Sequence, residues 1–536
     1  SNMGRGLINS FFIASMNALL TTYFSIMTAF AIHVYDFKGR KYIRGFILAI
    51  MMIPTQVSTV GFVQLVNEFG LTNNYLPLII PSIASPLTFF YMIQYMKSAL
   101  PIELIEAARV DGSNEFKTFN KIDENSQKYS TKAIECANAA MSAVIPYDED
   151  ELKGAWIRPT YFDRSSIVKV LESLQEAGIN NIFIETYYHG KTIFPSKTME
   201  KYGFTKQYED YLGFDPLKIW ITEAHRRGIK VNIWFQTFYV GNKPPESNPQ
   251  SILAVRPDWV NYQKKNVNST IIPYSISEHN GYFIDPANPE VQTFLYELLC
   301  EIVTRYKPDG INLDYIRYPQ SVAANFSNYD MSNWGYTQFA RNEFKEMYGV
   351  DPIELKQSDT LWNCWRYYRC NKITNFIRKA SSLCRANNIN LTAVIFPNRL
   401  SAIDTKMQDW KNWSVNNFVD GFTPLFLTCD DKTAMNLMEE VVRNKSASTK
   451  VYAGLFVTFM NGSSSDLIKQ IHATRKFSLN GVVLFDYAHL NENYVNTLTE
   501  SVFKPLNNDV VITESFIQKP GEMIKFSTKD KNGRRR

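Results

Sequence analysis

The segment YKPDGINLDYIRYP, residues 306–319, decides the fold that we expect for most of this chain. Side chains alternate between the two faces of a strand, so Gly310, Asn312 and Asp314 would share one face. The intervening isoleucine and leucine would form an apolar file on the other face. This pattern predicts a parallel strand whose inner face leads to a reaction site, with Asp314 at its carboxyl end. The alternative is that Asp314 only caps the following loop.

The residues before this segment indicate how the strand is connected. Residues 288–306 read as an amphipathic helix that begins with a proline in its first turn. A short turn through Asp309 and Gly310 then leads into the strand. Helix, turn and strand in this order form the repeating unit of an α/β barrel, which keeps its chemistry at the carboxyl ends of its strands.

From residue 154 onward, short apolar strand patterns alternate with helical ones. The helical stretches 165–178 and 215–228 both end at glycine, as helices often do. Eight strands are predicted, at residues 154–159, 181–187, 230–235, 310–315, 391–397, 418–426, 451–456 and 481–486. Eight such units predict a (β/α)₈ TIM barrel in the α/β class. The long loop 235–285 is expected to lie near the site.

Composition and the missing motifs exclude several classes of function. The net charge of +5 is small for 536 residues, and basic and acidic residues are interspersed, which argues against nucleic acid as the main partner. The six cysteines lack metal-finger spacing and predict reduced thiols. The segment HGKT, residues 189–192, lacks the upstream glycine of a P-loop, and neither a G-x-S-x-G nor an H-E-x-x-H motif occurs. We therefore expect no cofactor and no metal.

The first hundred residues differ in kind from the rest. Runs without Asp, Glu, Lys or Arg cover residues 7–32, 45–66 and 75–96. Each run is long enough to cross a bilayer, which requires about 20 apolar residues, so an all-α segment of three transmembrane helices is predicted. The basic cluster DFKGRKYIR, residues 36–44, lies between the first two runs. It predicts a cytoplasmic link and, after three spans, a cytoplasmic barrel.

These patterns predict four regions in the chain. A polar stretch rich in Asn, Ser and Lys, ending in a run of acidic residues, separates the apolar segment from the barrel and reads as a linker. The predicted regions are a membrane segment at 1–122, a linker at 123–153, the barrel at 154–505, and a C-terminal extension and tail at 506–536.

The segment after the third apolar run resembles the permease subunit of carbohydrate-importing ABC transporters. The residues that match the cytoplasmic coupling loop of that family are Glu106, Ala107, Ala108, Asp111 and Gly112. The resemblance implies that this loop docks against a separate ATPase subunit and that residues 7–96 contact the lipid bilayer. It covers only part of the helix set of that family, which favours a truncated remnant or a fusion over a working transporter.

The candidate catalytic residues are acids that end strands. Hydrolysis of a glycosidic bond requires two carboxyl groups that flank it, one as acid and the other as nucleophile or base. Asp314 ends the fourth predicted strand, Glu185 lies near the end of the second, and Asp486 ends the eighth. Asp309 and Asp420 instead precede a glycine at the start of a strand, so we expect them at the opposite, stabilising end.

Further side chains at the same strand ends are candidates for substrate binding. His189 and His489 follow strands two and eight, and each could hydrogen-bond a sugar, tune a carboxylate or make only a local hydrogen bond. The aromatic candidates could form stacking platforms or belong to the core. The full set of substrate-binding candidates is Asn312, Trp234, Tyr187, His189, Arg317, Tyr318 and His489.

The barrel region resembles the family-10-like glycosyl hydrolases, an α-amylase-related group. The blocks YFIDPANPEV (282–291), DGINLDYIRYP (309–319) and VDGFTPLF (419–426) carry the resemblance. It implies a glycosidase that acts on a polysaccharide or a cell-wall glycan, with Asp314 in the place of the nucleophile. The glutamate acid that the resemblance implies at the end of strand five is missing from VIFPNR (394–399).

The general acid therefore stays open at this stage. Glu185 is the first choice and Asp486 the second. Two alternatives from other classes of function also stay open, a carbohydrate-binding barrel without turnover and a component of a sugar ABC importer.

Overall fold

The computed structural model describes residues 2–35, 37–50, 62, 65–71, 74–83, 85–99, 150–161, 163–460 and 462–503. The chain divides into two compact units, Ser1–Ala137 and Asn138–Arg536. The division falls inside the segment predicted as a linker. The proposed ATPase-docking residues Glu106, Ala107, Ala108, Asp111 and Gly112 lie outside the described residues, as do most of the linker and the C-terminal tail.

Helices make up the described part of the first unit. They are α1 (Asn2–Val34), α2 (Arg40–Ile50), α3 (Leu76–Ile83) and α4 (Pro86–Ala99). Helix α1 contains the first predicted span. Within the described ranges, its segment Ile13–Val34 is the one helix whose length and apolar composition would suffice to cross a bilayer. The second predicted span, 45–66, falls largely outside the described residues.

The third predicted span is not a single helix. The run 75–96 is divided between α3 and α4, with Pro86 as the first residue of α4. A proline disfavours helical geometry in the residue before it, and the Ser85 hydroxyl accepts the Thr88 N–H at 3.3 Å as a new helix cap. The expectation of three continuous spans is therefore not confirmed.

The second unit contains a closed barrel of eight parallel strands. Every strand pairs with its neighbours in the chain, and the first strand also pairs with the last, which closes the ring. The strands are β1 (Leu152–Ile157), β2 (Asn181–Tyr188), β3 (Lys230–Gln236), β4 (Gly310–Asp314), β5 (Asn390–Ile395), β6 (Gly421–Phe426), β7 (Ala453–Phe456) and β8 (Gly481–Phe485). All eight overlap a predicted strand, so the TIM-barrel prediction is confirmed.

Helices follow the strands along the chain. The longer ones are α5 (Arg164–Glu176), α6 (Pro216–Arg226), α7 (Pro289–Tyr306), α8 (Gln338–Tyr348), α9 (Trp362–Ala386), α10 (Arg399–Lys406), α11 (Trp410–Val415), α12 (Asp431–Asn444), α13 (Ser464–Lys476) and α14 (Glu492–Thr497). Helix α7 illustrates how the sequence determines where such a helix begins and which side it buries. The Asn288 side chain caps it by accepting the Glu290 N–H at 2.9 Å, and Pro289 occupies its first turn. Its buried side includes Leu295, Leu298 and Ile302, which join the core cluster that contains the strands.

Four Asn or Asp side chains brace the amino-terminal end of the barrel. Each one directly precedes an even-numbered strand and accepts the backbone N–H of a residue at the start of the preceding strand or just before it. The pairs are Asn180 with Lys153 (2.8 Å), Asp309 with Val231 (2.8 Å), Asp420 with Leu391 (2.7 Å) and Asn480 with Val451 (2.9 Å). The expectation that Asp309 and Asp420 lie at the stabilising end is confirmed. We call these four residues the Asx braces.

The barrel interior is packed with side chains from the inward faces of the strands. Trp156, Phe183 and Trp234 form part of this inner cluster. Asn312 is fully buried among them: its amide oxygen accepts the Trp156 indole N–H at 3.3 Å, and its amide nitrogen donates to two threonine hydroxyls, each at 2.9 Å. The polar face of β4 therefore points into the barrel, as the period-two pattern predicted.

Candidate active site

Asp314 is held by two hydrogen bonds at the carboxyl end of β4. The Trp234 indole N–H donates to its Oδ2 at 2.8 Å, and the Tyr315 backbone N–H donates to its Oδ1 at 2.6 Å. Burial raises the pKa of Asp314 above the usual value, while these donors and the cations Arg317 and Arg158 act in the opposite direction. The carboxyl group thus has a fixed orientation and a set of partners that favours its charged form.

Glu185 lies on β2, and its carboxyl group is shielded from solvent. Its side chain is almost fully buried, and its Oε1 accepts the Gln236 side-chain N–H at 2.7 Å. The pKa of Glu185 is raised to about 8, chiefly by burial; the Arg158 guanidinium opposes this rise, and the neighbouring Asp314 and Asp486 add to it. The Glu185 carboxyl group therefore holds a proton at neutral pH.

Asp486 directly follows β8 and is also buried. Its Oδ1 lies 2.5 Å from Nδ1 of His489, and its Oδ2 lies 3.9 Å from Nε of Arg158. The same Arg158 nitrogen is 3.6 Å from Oε2 of Glu185. Asp486 thus has the His489 ring on one oxygen and the Arg158 guanidinium near the other, whereas Glu185 has a neutral amide on one of its two.

The structure brings the three predicted carboxyl groups to one end of the barrel. They come from β2, β4 and the residue after β8, and Arg158, just after β1, lies between two of them. One carboxyl group holds a proton and another is fixed by hydrogen bonds to its oxygens. Two acids with such different environments can serve as the proton donor and as the nucleophile or base of a hydrolytic reaction.

His189 lies at the rim of the same end, directly after β2. Its backbone takes a left-handed conformation with φ of 50°, and its backbone N–H donates to the Gln236 side-chain oxygen at 3.3 Å. The ring packs edge-on against Tyr239, with 5.5 Å between centroids. Burial lowers the pKa of His189 to about 4, so the imidazole is neutral at neutral pH.

Three of the predicted substrate-binding residues lie away from open surface. Tyr187 stacks on Phe235 at 4.7 Å within the core between strands and helices, and Tyr318 is buried in the same core. Asn312 lies in the barrel interior with its amide already in hydrogen bonds. The structure therefore places these three side chains in the core and not on an open surface at the strand ends.

Arg317 has a structural partner in the long loop between β3 and β4. Its guanidinium forms two hydrogen bonds with the Glu278 carboxylate, at 2.7 and 3.1 Å, and packs 4.8 Å from the Tyr315 ring centroid. Both charged side chains are nearly buried. Glu278 thus fastens the loop beside the strand that carries Asp314, in line with the expected position of this loop.

Reasoning from the sequence missed three residues of the site. Arg158, Gln236 and Glu278 were not among the candidates, although Gln236 ends β3 and Arg158 directly follows β1. Their positions at strand ends could have identified these two. Glu278 has no such signal, because it lies 39 residues from its partner Arg317 in a loop without a regular pattern.

Comparison with known proteins fits this geometry. Residues 151–493 match the family described as Glycosyl hydrolase-like 10. The chain belongs to this family. Its second unit is thus a glycoside hydrolase-like barrel. The family match covers all eight strands and the three carboxyl groups described above.

The N-terminal segment matches a different family. Residues 21–122 match the binding-protein-dependent transport system inner membrane component, so a permease-type domain precedes the barrel of this Glycosyl hydrolase-like 10 member. The chain is 40% identical over 114 residues to the arabinooligosaccharides transport system permease protein AraQ of Halalkalibacterium halodurans, which covers 21% of this chain and 40% of AraQ.

The barrel has its own curated relative. Over 177 residues the chain is 26% identical to glycosyl hydrolase DigH of Escherichia coli K12, which covers 31% of this chain and 37% of DigH. The chain therefore spans about two fifths of the length of either relative. Among solved structures, the catalytic domain of β-amylase from Paenibacillus polymyxa superimposes with a TM-score of 0.45 at 12% identity, over 67% of this chain and all of that domain.

Proposed function

We propose that the barrel hydrolyses O-glycosidic bonds of a poly- or oligosaccharide, with Glu185 as general acid and Asp314 as nucleophile or general base. The observation that supports this most directly is the difference between the environments of these two carboxyl groups at the carboxyl end of the barrel. Glu185 is buried beside a neutral amide and holds a proton, whereas Asp314 accepts two hydrogen bonds on its oxygens. A cell-wall glycan is one candidate substrate class.

The proposed reaction begins with proton transfer from Glu185. As the glycosidic C–O bond breaks, the leaving oxygen takes this proton and Glu185 becomes a carboxylate. Asp314 either attacks the anomeric carbon or removes a proton from an attacking water. The Trp234 and Tyr315 N–H groups keep its oxygens oriented throughout, so little reorganisation is needed.

Asp486 is the second candidate for the acid. It ends the eighth strand beside Glu185, but His489 and Arg158 both face its oxygens, and both favour a carboxylate when charged. A proton donor must instead keep its proton until the bond breaks. For this reason we place Glu185 first.

The test compares single substitutions in the full chain. Asp314→Asn, Glu185→Gln and Asp486→Asn are assayed by the release of reducing ends from a panel of plant, storage and cell-wall glycans, and binding is measured in parallel. We expect Asp314→Asn to lower turnover by about 10³-fold or more with binding retained, and Glu185→Gln by about 10² to 10⁴-fold. Glu185→Gln should be least harmful with aryl glycosides, whose leaving groups need little protonation.

Glu172→Gln is the matched control, because Glu172 lies on α5 and pairs with Arg227 at 3.1 Å, away from the strand ends. Unchanged turnover in Asp314→Asn would exclude its assigned role. A larger loss in Asp486→Asn than in Glu185→Gln would reverse the choice of acid. Binding without hydrolysis by the unaltered protein would favour the alternative of a carbohydrate-binding barrel.

The N-terminal segment supports a second proposed role. Its match to an inner-membrane transport component over residues 21–122, and its 40% identity to AraQ, support insertion in a membrane and a sugar-importer context. We propose that Glu106, Ala107, Ala108, Asp111 and Gly112 dock an ABC ATPase subunit. An ATPase should copurify with the full chain and be lost in Glu106→Ala. Glu68→Ala is the control, since Glu68 lies between the predicted second and third spans.

The side of the membrane on which the barrel lies can be tested with Cys429. Of the cysteines that the structure describes, Cys429 is the exposed one, on the segment after β6. A cytoplasmic barrel, as the basic cluster at 36–44 predicts, would leave this thiol unlabelled by an impermeant maleimide until the cells are opened. Labelling of intact cells would place the barrel outside.

A further inference from the structure

Arg158 occupies the space above two of the three carboxyl groups. Its side chain is 55% exposed, whereas those of Glu185 and Asp486 are 3% and 4% exposed. Its Nε lies 3.6 Å from Oε2 of Glu185 and 3.9 Å from Oδ2 of Asp486. Both distances exceed those of charge-assisted hydrogen bonds, so no short hydrogen bond fixes the guanidinium to either acid.

Aromatic rings of the barrel interior support the same guanidinium. Its central carbon lies 5.7 Å from the ring centroid of Trp234 and 5.4 Å from that of Phe485, within the range of cation–π attraction. Trp234 is also the donor to Asp314. Arg158 therefore packs on the side chain that orients one candidate catalytic acid while it neutralises charge on another.

Arg158 is also the main positive charge that acts on Glu185. Gln236 contacts Glu185 from β3, Asp314 approaches it from β4, and Asp486, with His489 behind it, approaches from the end of β8. The charged and titratable groups that interact with Glu185 are Arg158, Asp314, Asp486, Tyr188, Tyr208, Tyr211 and Tyr239. Among these residues of the described barrel, Arg158 supplies the positive charge, so no other member of the set could replace it.

We propose that Arg158 is a positioning residue that stabilises the Glu185 carboxylate as its proton passes to the leaving oxygen. The inference rests on the proposed function, because it assigns the acid role to Glu185. When Glu185 gives its proton to the leaving oxygen, the Arg158 guanidinium faces the new negative charge.

The direction of the effect on acidity follows from this geometry. Arg158 lowers the pKa of Glu185, against the larger effect of burial. Loss of a cation at this distance should therefore raise the pH at which Glu185 ionises, by about one pH unit or more. An acid that gives up its proton less readily should slow the step that breaks the bond.

The experiment uses the full chain with Arg158→Met and Arg158→Lys. The ionisation of Glu185 is followed by infrared titration of carboxyl groups, with Glu185→Gln as the subtraction reference, and pH–rate profiles are recorded with a glycan substrate. Arg158→Met should move the infrared midpoint and the alkaline limb of activity upward together, and lower kcat about tenfold or more while KM changes less than about twofold. Arg158→Lys should restore most of both, because it retains the charge.

Arg164→Met is the matched control, because Arg164 is also an exposed, ion-paired arginine, but its partner is Glu223 on α6. An unchanged infrared midpoint in Arg158→Met would overturn the proposal. So would a rise in KM with kcat and both limbs unchanged, which is the signature of a direct substrate contact. Because the infrared titration needs no turnover, it distinguishes failure of this inference from failure of the proposed hydrolase function.

Discussion

Trp234 links the packed interior of the barrel to the candidate reaction site. It is 2% exposed, packs against Trp156 with 6.3 Å between ring centroids, and donates its indole N–H to Asp314. A side chain fixed by packing can hold a carboxylate in one orientation, which loop residues do less well. Asp314 therefore owes its orientation to the core as well as to its own strand.

The substitution Trp234→Phe should separate these two contributions. It keeps an aromatic ring but removes the N–H donor, which stabilises the ionised form of Asp314 and thereby lowers its pKa. We expect kcat/KM to fall about tenfold and the acid limb of the pH–rate profile to move to higher pH, because Asp314 must be ionised to act. Trp156→Phe is the control, since its indole donates to Asn312 rather than to an acid. An unmoved acid limb would contradict the assignment.

Glu185 should make the stability of the barrel depend on pH. Burial raises its pKa in the folded state to about 8, above the ordinary value of 4.5, so the folded protein holds a proton that the unfolded chain releases. The free energy of unfolding therefore falls as pH rises from about 4.5 to about 8. Glu185→Gln should remove this dependence, and its advantage over the unaltered protein should grow across that window. Denaturant unfolding at pH 5 and pH 8 tests this, and an equal difference at both values would contradict it.

At the scale of single elements, the Asx braces join the start of each even strand to the strand before it. Asp420 offers the cleanest test, because its Oδ2 accepts the Leu391 N–H at 2.7 Å. Asp420→Ala leaves that N–H without its acceptor and should lower the free energy of unfolding by about 1 to 3 kcal/mol. Asp420→Asn retains an acceptor oxygen and should cost much less. Equal losses in denaturant unfolding of the two variants would show that the brace contributes little.

Glycine follows three of the four braces for a reason that the structure makes visible. A Cβ on Gly310 would lie 2.1 Å from the Asn232 side-chain oxygen, and one on Gly481 would lie 2.1 Å from the Leu152 backbone oxygen. The Asx-Gly pairs at the start of β4, β6 and β8 are thus readable in the sequence, and those at Asp309 and Asp420 predict the stabilising end of the barrel. The other strands are predicted by short apolar runs that end near Gly, Asn or Asp. Such runs are typical of strands that are buried on both faces.

Other features of the fold and the site could not be predicted in this way. The break at Ser85 and Pro86 lies inside an uncharged run, and a count of apolar residues does not register a helix interruption. The pairing of Arg317 with Glu278 joins positions far apart in the chain, so no local pattern reveals it. Burial of Tyr187 and Tyr318 depends on which side of the barrel wall each ring faces, and a β-bulge between Glu185 and Tyr187 shifts that register in β2.

At the scale of the whole molecule, the chain joins a permease-type domain to a glycoside hydrolase-like barrel. The two units carry different kinds of surface. Helix α1 exposes large apolar side chains along its length, including Leu19 at 67% and Phe24 at 39%, whereas most apolar side chains of the barrel lie in continuous buried clusters and others, such as Ile276 at 77%, are exposed in its loops. Exposed apolar residues along a helix of spanning length are stable in lipid rather than in water, which supports membrane insertion of the first unit.

A matched pair of substitutions tests that insertion. Phe24 lies near the middle of the segment Ile13–Val34 and Phe37 lies just beyond it, and both side chains are 39% exposed. An arginine at the centre of a spanning helix costs about 2.5 to 3.5 kcal/mol for insertion, whereas one beside the basic cluster at 36–44 would lie at the membrane surface. Phe24→Arg should therefore shift the full chain out of the carbonate-resistant membrane fraction, and Phe37→Arg should not. If both variants stay in that fraction, α1 is not the element that anchors the chain, and the segments at 45–66 and 75–96 become the ones to test.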